Sequence, residues 1–150
     1  MCIRDRVGDG NNMCHSWINA AMLFDFKLTI ATPKTYQPKL ALFGTLPESI
    51  QLTHTPHEAV IGADAVVTDT WASMGQEEEK NARMQAFKGF CVDQKMMASA
   101  NKDAIFLHCL PAYRGMEVSS DVIEGPQSAV WQEAENRLHA QKALLELLLT

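Results

Sequence analysis

No apolar run in this sequence approaches the ~20 residues that a membrane-spanning helix requires. The most apolar stretch, residues 143–149, is short and falls in a helical pattern. Basic clusters are also missing, and no stripe of aromatic and basic residues suggests nucleic acid. With a net charge of −5, the chain is a poor partner for a phosphate backbone. The four cysteines, Cys2, Cys14, Cys91 and Cys109, form no C-x-x-C pair and no metal-ligand spacing. We expect no signal peptide, and reduced thiols in a cytoplasmic protein. There is no internal repeat and no low-complexity segment.

What is present is an ordinary globular composition, 47% apolar over 150 residues, enough for one domain with a sizeable core. Residues 1–6 stand apart. A strand should lead into Val7-Gly8-Asp9-Gly10, and strands buried on both faces are apolar. Arg4, Asp5 and Arg6 do not fit that rule. The segment Met1-Cys2-Ile3-Arg4-Asp5-Arg6 resembles translated sequencing-adapter sequence. We expect it to be non-native, with Val7 the last residue of a truncated strand.

Beyond it, short apolar runs alternate with helical patterns. Residues 12–26 read as a helix with Trp17, Ala20, Ala21 and Phe24 on one face. Residues 28–31 read as a strand ended by Thr32-Pro33, and 34–46 as a loop followed by a helix. Residues 51–54 form another strand. Thr55 then caps a helix, with Pro56 in its first turn and Glu58 completing a capping box. A strand at 65–68 precedes a helix at 76–87, whose Glu77, Glu78 and Glu79 favour its N-terminus. A short helix spans 93–100, with Asn101 as its stop, and a strand spans 104–107. Ser128 caps a last long helix with Trp131, Ala134, Leu138, Leu145 and Leu148 near one face. Strand–helix alternation predicts an α/β fold, a parallel sheet with helices on both faces.

In such a sheet ligands bind at the carboxyl ends of strands. Three polar segments fall at such ends. Gly8-Asp9-Gly10-Asn11-Asn12 is a glycine turn into a helix, where free N–H groups favour an anion. It is not a dinucleotide fingerprint, because Met13 stands where a third glycine is needed and Thr32 where an acidic ribose ligand would be. In Asp69-Thr70-Trp71-Ala72-Ser73-Met74-Gly75, Asp69 suits an ammonium, while Ser73 and the backbone near Met74 suit a carboxylate. Alone, Asp69 or Ser73 reads equally as a helix cap. In His108-Cys109-Leu110-Pro111, Cys109 reads as a nucleophile or as a buried small thiol. Adjacent strand residues face opposite ways, which argues against a Cys109–His108 dyad and leaves Cys109 a contact role. Arg137, in Glu135-Asn136-Arg137, reads as a helix charge paired with Glu133, or as a fork for phosphate or a polarised carbonyl.

Taken together, in this order and spacing, these segments resemble ornithine carbamoyltransferase, specifically its second domain. The resemblance covers nearly everything from Val7 onward. Ser73-Met74-Gly75 resembles the family's ornithine-selecting loop, and His-Cys-Leu-Pro is characteristic of this branch. The resemblance implies a Rossmann-like sheet over residues 7–127. It also implies a C-terminal helix, 128–150, that packs back on a donor domain. That donor domain carries Ser-Thr-Arg-Thr-Arg and His-Pro-x-Gln, neither of which occurs here. It further implies carbamoyl transfer from carbamoyl phosphate to the δ-amine of L-ornithine, giving L-citrulline and phosphate. Asn12, Asp69, Ser73 and Met74 would hold ornithine. Cys109, Leu110 and Arg137 would meet the carbamoyl group, with Cys109 and Arg137 catalytic. No metal or organic cofactor is implied, and the full-length parent would be a trimer.

Two alternatives remain open from the residues. One is a related carbamoyltransferase for putrescine, an acylated ornithine or aspartate, against which Ser73-Met74-Gly75 argues. The other is a non-catalytic amino-acid-binding module. A nicotinamide-dependent enzyme is disfavoured by Met13 and Thr32.

Overall fold

The computed structural model describes residues 3–71 and 80–150. Five strands, β1 (Ile3–Val7), β2 (Lys27–Ala31), β3 (Ile50–Thr53), β4 (Ala65–Thr68) and β5 (Ile105–His108), form one parallel sheet in the order β3-β2-β1-β4-β5. Helices α1 (Asn12–Phe24), α2 (Pro56–Ala59), α3 (Lys80–Ala86), α4 (Gln94–Ser99) and α5 (Ser120–Ile123) cover its faces, and α6 (Val130–Leu149) closes the chain. The chain winds outward from β1 to β3, then returns to place β4 on the other side of β1. The crevice outside the carboxyl ends of β1 and β4 is therefore the topological switch point, where open sheets of this kind bind ligands. Among the described residues no helix is long and apolar enough to cross a membrane.

Each face has its own core. Cys14, Ile18 and Ala21 of α1 pack with Phe26, Leu28, Ile30 and Ile50 on one side. Val7, Val66, Phe87, Met96, Phe106 and Ile123 belong to the larger cluster on the other. Burying each large apolar side chain contributes ~1.5–3 kcal/mol, so these clusters dominate the fold's stability.

Residues 3–6, set aside on composition, lie in β1, and β1 is the central strand. Its charges are only partly partnered, and Asp5 Oδ2 is buried with no hydrogen-bond partner among the described residues. Arg4 lies over the Phe26 ring at 4.2 Å. Asp5 accepts a hydrogen bond from Thr29 N at 2.9 Å, although burial still pushes its carboxyl up to about 6. Arg6 is ion-paired with Asp69.

Four local expectations are corrected. Of the expected face of α1, Ala21 is buried with Cys14 and Ile18, and Trp17 and Ala20 pack against the same core, but Phe24 is 76% exposed. The helix stops at Phe24 because Asp25 turns left-handed (φ 50°), which delivers Phe26 to the core instead. Residues 34–46 contain two short 3-10 turns, Lys34–Tyr36 and Leu40–Leu42, and no α-helix. The Tyr36 carbonyl is committed elsewhere, accepting from Gly10 N and Thr32 Oγ1, and Pro38 has no N–H to extend a helix. Thr55 makes no side-chain cap on α2, a single turn. Ser128 makes none on α6, which starts after Ala129; the Ser128 N–H instead donates to Gly125 O. The short helix expected over 93–100 is α4, capped by Asp93, whose Oδ1 accepts from Met96 N at 2.9 Å.

The face of α6 expected to be apolar is open. Trp131, Leu138, Leu145 and Leu148 are all exposed, and Val130 is the one buried residue of the helix.

Candidate functional site

The first wall grows from β1. Val7 hands over to Gly8, whose φ of +143° suits glycine alone; a Cβ there would sit 3.3 Å from Thr68 Oγ1. Asn11 then caps α1. Its Oδ1 accepts from Met13 N and Cys14 N, and its Nδ2 donates to Asp69 Oδ2 at 2.7 Å. One amide thus starts the helix and steers the carboxylate at the end of β4. Asp69 itself is 3% exposed. Beside it, Asp9 Oδ2 pairs with Arg83 Nη1 at 2.5 Å, and Arg83 also donates to the Trp71 carbonyl at 2.7 Å. The Arg83 guanidinium lies 4.6 Å from the centre of the Tyr36 ring. Burial raises the Asp9 carboxyl above its ordinary range, and Arg83 partly offsets this.

The second wall grows from β5. His108 is fully buried. Its Nδ1 accepts from Leu110 N at 2.9 Å, so Nε2 carries the proton and donates to Glu117 Oε1 at 3.3 Å. Glu117 Oε1 also accepts from Tyr113 N at 2.6 Å. This chain of bonds holds the loop after β5, where Leu110 adopts φ 53° and the Leu110–Pro111 bond is cis. A left-handed leucine is uncommon and is held here by the bond from its own N–H. Cys109 points the other way from His108 and is exposed. That fits the alternation of a strand end and excludes a Cys–His dyad.

The third wall is the first turns of α6. Glu133 Oε2 accepts from His108 N at 2.9 Å, which ties the helix to β5. Among the described residues no ion pair joins Glu133 to Arg137, so the simple helix-pair reading of Arg137 fails. Arg137 instead lines a cavity of about 380 Å³ with Met13, Cys109, Leu110, Glu133 and Ala134.

Although the residue as a whole is exposed, partial desolvation against the loop and α6 pushes the Cys109 thiol up, and the negative charges of Asp69 and Glu133 push it further. At neutral pH Cys109 is therefore a protonated thiol and a poor nucleophile. Its alkylation by iodoacetamide should be slower than that of free cysteine at the same pH, with a rate midpoint above that of free cysteine. Labelling followed by mass spectrometry checks this; a midpoint below that of free cysteine would show the thiol activated.

Of the residues singled out in the sequence, Cys109, Leu110 and Arg137 share one cavity. Asp69 stands at the neighbouring strand end, close enough for its charge to act on Cys109. Asn12 is the first residue of α1 and is exposed on the same rim. Ser73 and Met74 lie outside the described residues. Sequence reasoning missed Asp9, Asn11, Arg83, Glu117 and Glu133. Asn11 alone had a local signal, as an N-cap before an apolar helix.

A parallel α/β domain with a carboxylate, a thiol and an arginine gathered around its switch point is a small-molecule-binding domain. Residues 6–148 match the family model for aspartate/ornithine carbamoyltransferase, Asp/Orn binding domain. The chain is 60% identical to ornithine carbamoyltransferase of Nitrosococcus oceani, over 95% of its own length and 47% of that protein. It is 57% identical to the Halorhodospira halophila protein of the same name, covering 95% of this chain and 48% of that one. Among solved structures, ornithine carbamoyltransferase from Pyrococcus furiosus superposes with a TM-score of 0.89 at 43% identity, over 96% of this chain and 48% of that one. The chain belongs to the aspartate/ornithine carbamoyltransferase family, in which it corresponds to the Asp/Orn binding domain. It spans about half the length of the curated relatives it matches.

Proposed function

We propose that this chain is the ornithine-binding half of a cytoplasmic, trimeric ornithine carbamoyltransferase, which converts carbamoyl phosphate and L-ornithine to L-citrulline and phosphate. The observation that carries the reading is the cavity in which Cys109, Leu110 and Arg137 meet beside Asp69.

In this reading Asp69 and Asn12 hold the α-amino group of ornithine, and Ser73 and Met74 its carboxylate. The δ-amine, whose free pKa is near ~10.4, must arrive neutral. Its lone pair attacks the carbamoyl carbon, forming a C–N bond. Arg137 stabilises the oxyanion of the tetrahedral intermediate. The C–O bond to phosphate then breaks, and phosphate leaves with the bonding pair. Cys109, held as a thiol, positions the amine, and the departing phosphate takes its proton. The Leu110 carbonyl accepts from the carbamoyl NH2. Holding both substrates in line supplies much of the remaining acceleration.

The test is a citrulline assay of the longer protein that contains this half, run across a panel of amines. Asp69→Ala should raise the ornithine KM by roughly 10- to 100-fold, equivalent to about 1.4–2.8 kcal/mol, with carbamoyl phosphate binding unchanged. Faster turnover of putrescine or aspartate would overturn the choice of ornithine. Lost donor binding in Asp69→Ala would overturn the role of Asp69.

A further inference from the structure

We propose that Glu133 is a positioning residue of the transfer site, one carboxylate that fixes the arginine of α6 and the thiol loop of β5 relative to each other. The inference rests on the proposed function for the reaction itself.

The outer edge of β5 is paired with the segment that enters α6. Phe106 N donates to Gln127 O at 2.8 Å, and Ala129 N donates to Phe106 O at 2.9 Å. The next N–H on that edge belongs to His108, and Glu133 Oε2 accepts from it at 2.9 Å. A side chain thus continues the pairing where the backbone has turned into helix. Beyond Val130, Glu133 is the one residue of α6 that is not exposed. Packing of Val130 and the Glu133 bond hold the helix to the sheet, and the turns beyond are open to solvent.

The two ends of this bond place two functional groups. On the strand, His108 immediately precedes Cys109, so fixing its N–H fixes where the chain turns out towards the cavity. On the helix, Arg137 lies four residues after Glu133, on the same face one turn on. Cys109, Glu133 and Arg137 all line the cavity of about 380 Å³. A misplacement of about 1 Å between reacting groups can cost about 100-fold in rate, so this tether matters to turnover.

The charge of Glu133 reaches the thiol as well. It adds to that of Asp69 on β4 in raising the Cys109 thiol, against Arg6 on β1, which lowers it. Burial raises the Glu133 carboxyl itself, and the His108 N–H offsets part of this. A glutamine keeps the acceptor and removes the charge, so it separates the bond from the electrostatics.

The experiment uses the longer protein that contains this half, with citrulline formation and the pH midpoint of Cys109 alkylation as readouts. Glu133→Ala should lower kcat about 10- to 100-fold, with the ornithine KM within about threefold. Glu133→Leu replaces it if Glu133→Ala does not fold. Glu133→Gln should recover most of the lost rate. On an Arg137→Ala background, Glu133→Ala should cost less than about threefold more, because it acts through an arginine already gone. The alkylation midpoint should fall in Glu133→Gln and Glu133→Ala alike. An unchanged kcat in Glu133→Ala, a Glu133→Gln as slow as Glu133→Ala, or full additivity with Arg137→Ala overturns the proposal. An unmodified protein that makes no citrulline overturns the ornithine reading instead. The thiol then decides the placement of Glu133: a lowered midpoint in Glu133→Gln supports it, and an unshifted one overturns it.

Discussion

Gly10→Ala should cost the fold about 3 kcal/mol or more, the largest stability loss expected from adding a single methyl group here. A Cβ on Gly10 would lie 2.2 Å from Pro38 N, 2.4 Å from the Gln37 carbonyl carbon and 2.5 Å from Tyr36 O. All three are backbone atoms, so no rotamer change relieves the clash. The 34–42 segment cannot easily retreat either. Its Tyr36 carbonyl accepts from Gly10 N and Thr32 Oγ1, and its Tyr36 ring packs 5.1 Å from Phe87 in the core. Gly44→Ala is the control. Nothing lies within 4 Å of a Cβ there, and only its φ of +65° is unfavourable. It should cost about 1 kcal/mol. Urea unfolding of the two variants separates them. Equal losses would mean that the turn after β1 tolerates a side chain, and that the close approach does not shape the site.

Under the proposed function, Arg137→Ala should lower kcat by about 100- to 1,000-fold, the usual loss when one oxyanion donor is removed. The ornithine KM should change little. The argument lies in how Arg137 is presented. Its helix is tied to β5 through Glu133 and His108 N, one turn before Arg137, so the guanidinium is carried to the cavity that holds Cys109 and Leu110. An interaction that strengthens as charge develops on the carbamoyl oxygen acts on kcat more than on substrate binding. Arg137→Lys keeps the charge but loses the planar fork, so it should recover only part of the rate. The citrulline assay of the longer protein reads both constants. An unchanged kcat in Arg137→Ala would remove the oxyanion role and return Arg137 to a surface helix charge.

These predictions rest on different levels of the structure. Gly10 is a matter of backbone contact, and its effect needs no ligand. Arg137 is exposed and nearly free of packing, so its effect should appear in turnover and hardly at all in stability. A variant that moved both measurements together would point to a damaged fold.

Much of the architecture was legible in the sequence because strand and helix periodicities are local. Residues 65–68 were read as a strand and are β4, the short helix read over 93–100 is α4, and the three polar rim segments follow from where strands end. Local reading failed where a residue's fate depends on something distant. The ion pair of Arg6 with Asp69, 63 positions away, exists only because the crossover brings β4 beside β1. The pairs Asp9–Arg83 and His108–Glu117 left no periodic trace for the same reason. Residues 34–46 carry no α-helix because the Tyr36 carbonyl is taken by a turn on another element. Sequence by itself determined the alternation of elements and the residue types at the rim, since propensity, capping and pattern act within a few residues. Only the tertiary structure decided which of those residues share a cavity and which buried charges find partners. Both depend on strand order, and strand order is set by the packing of the whole sheet.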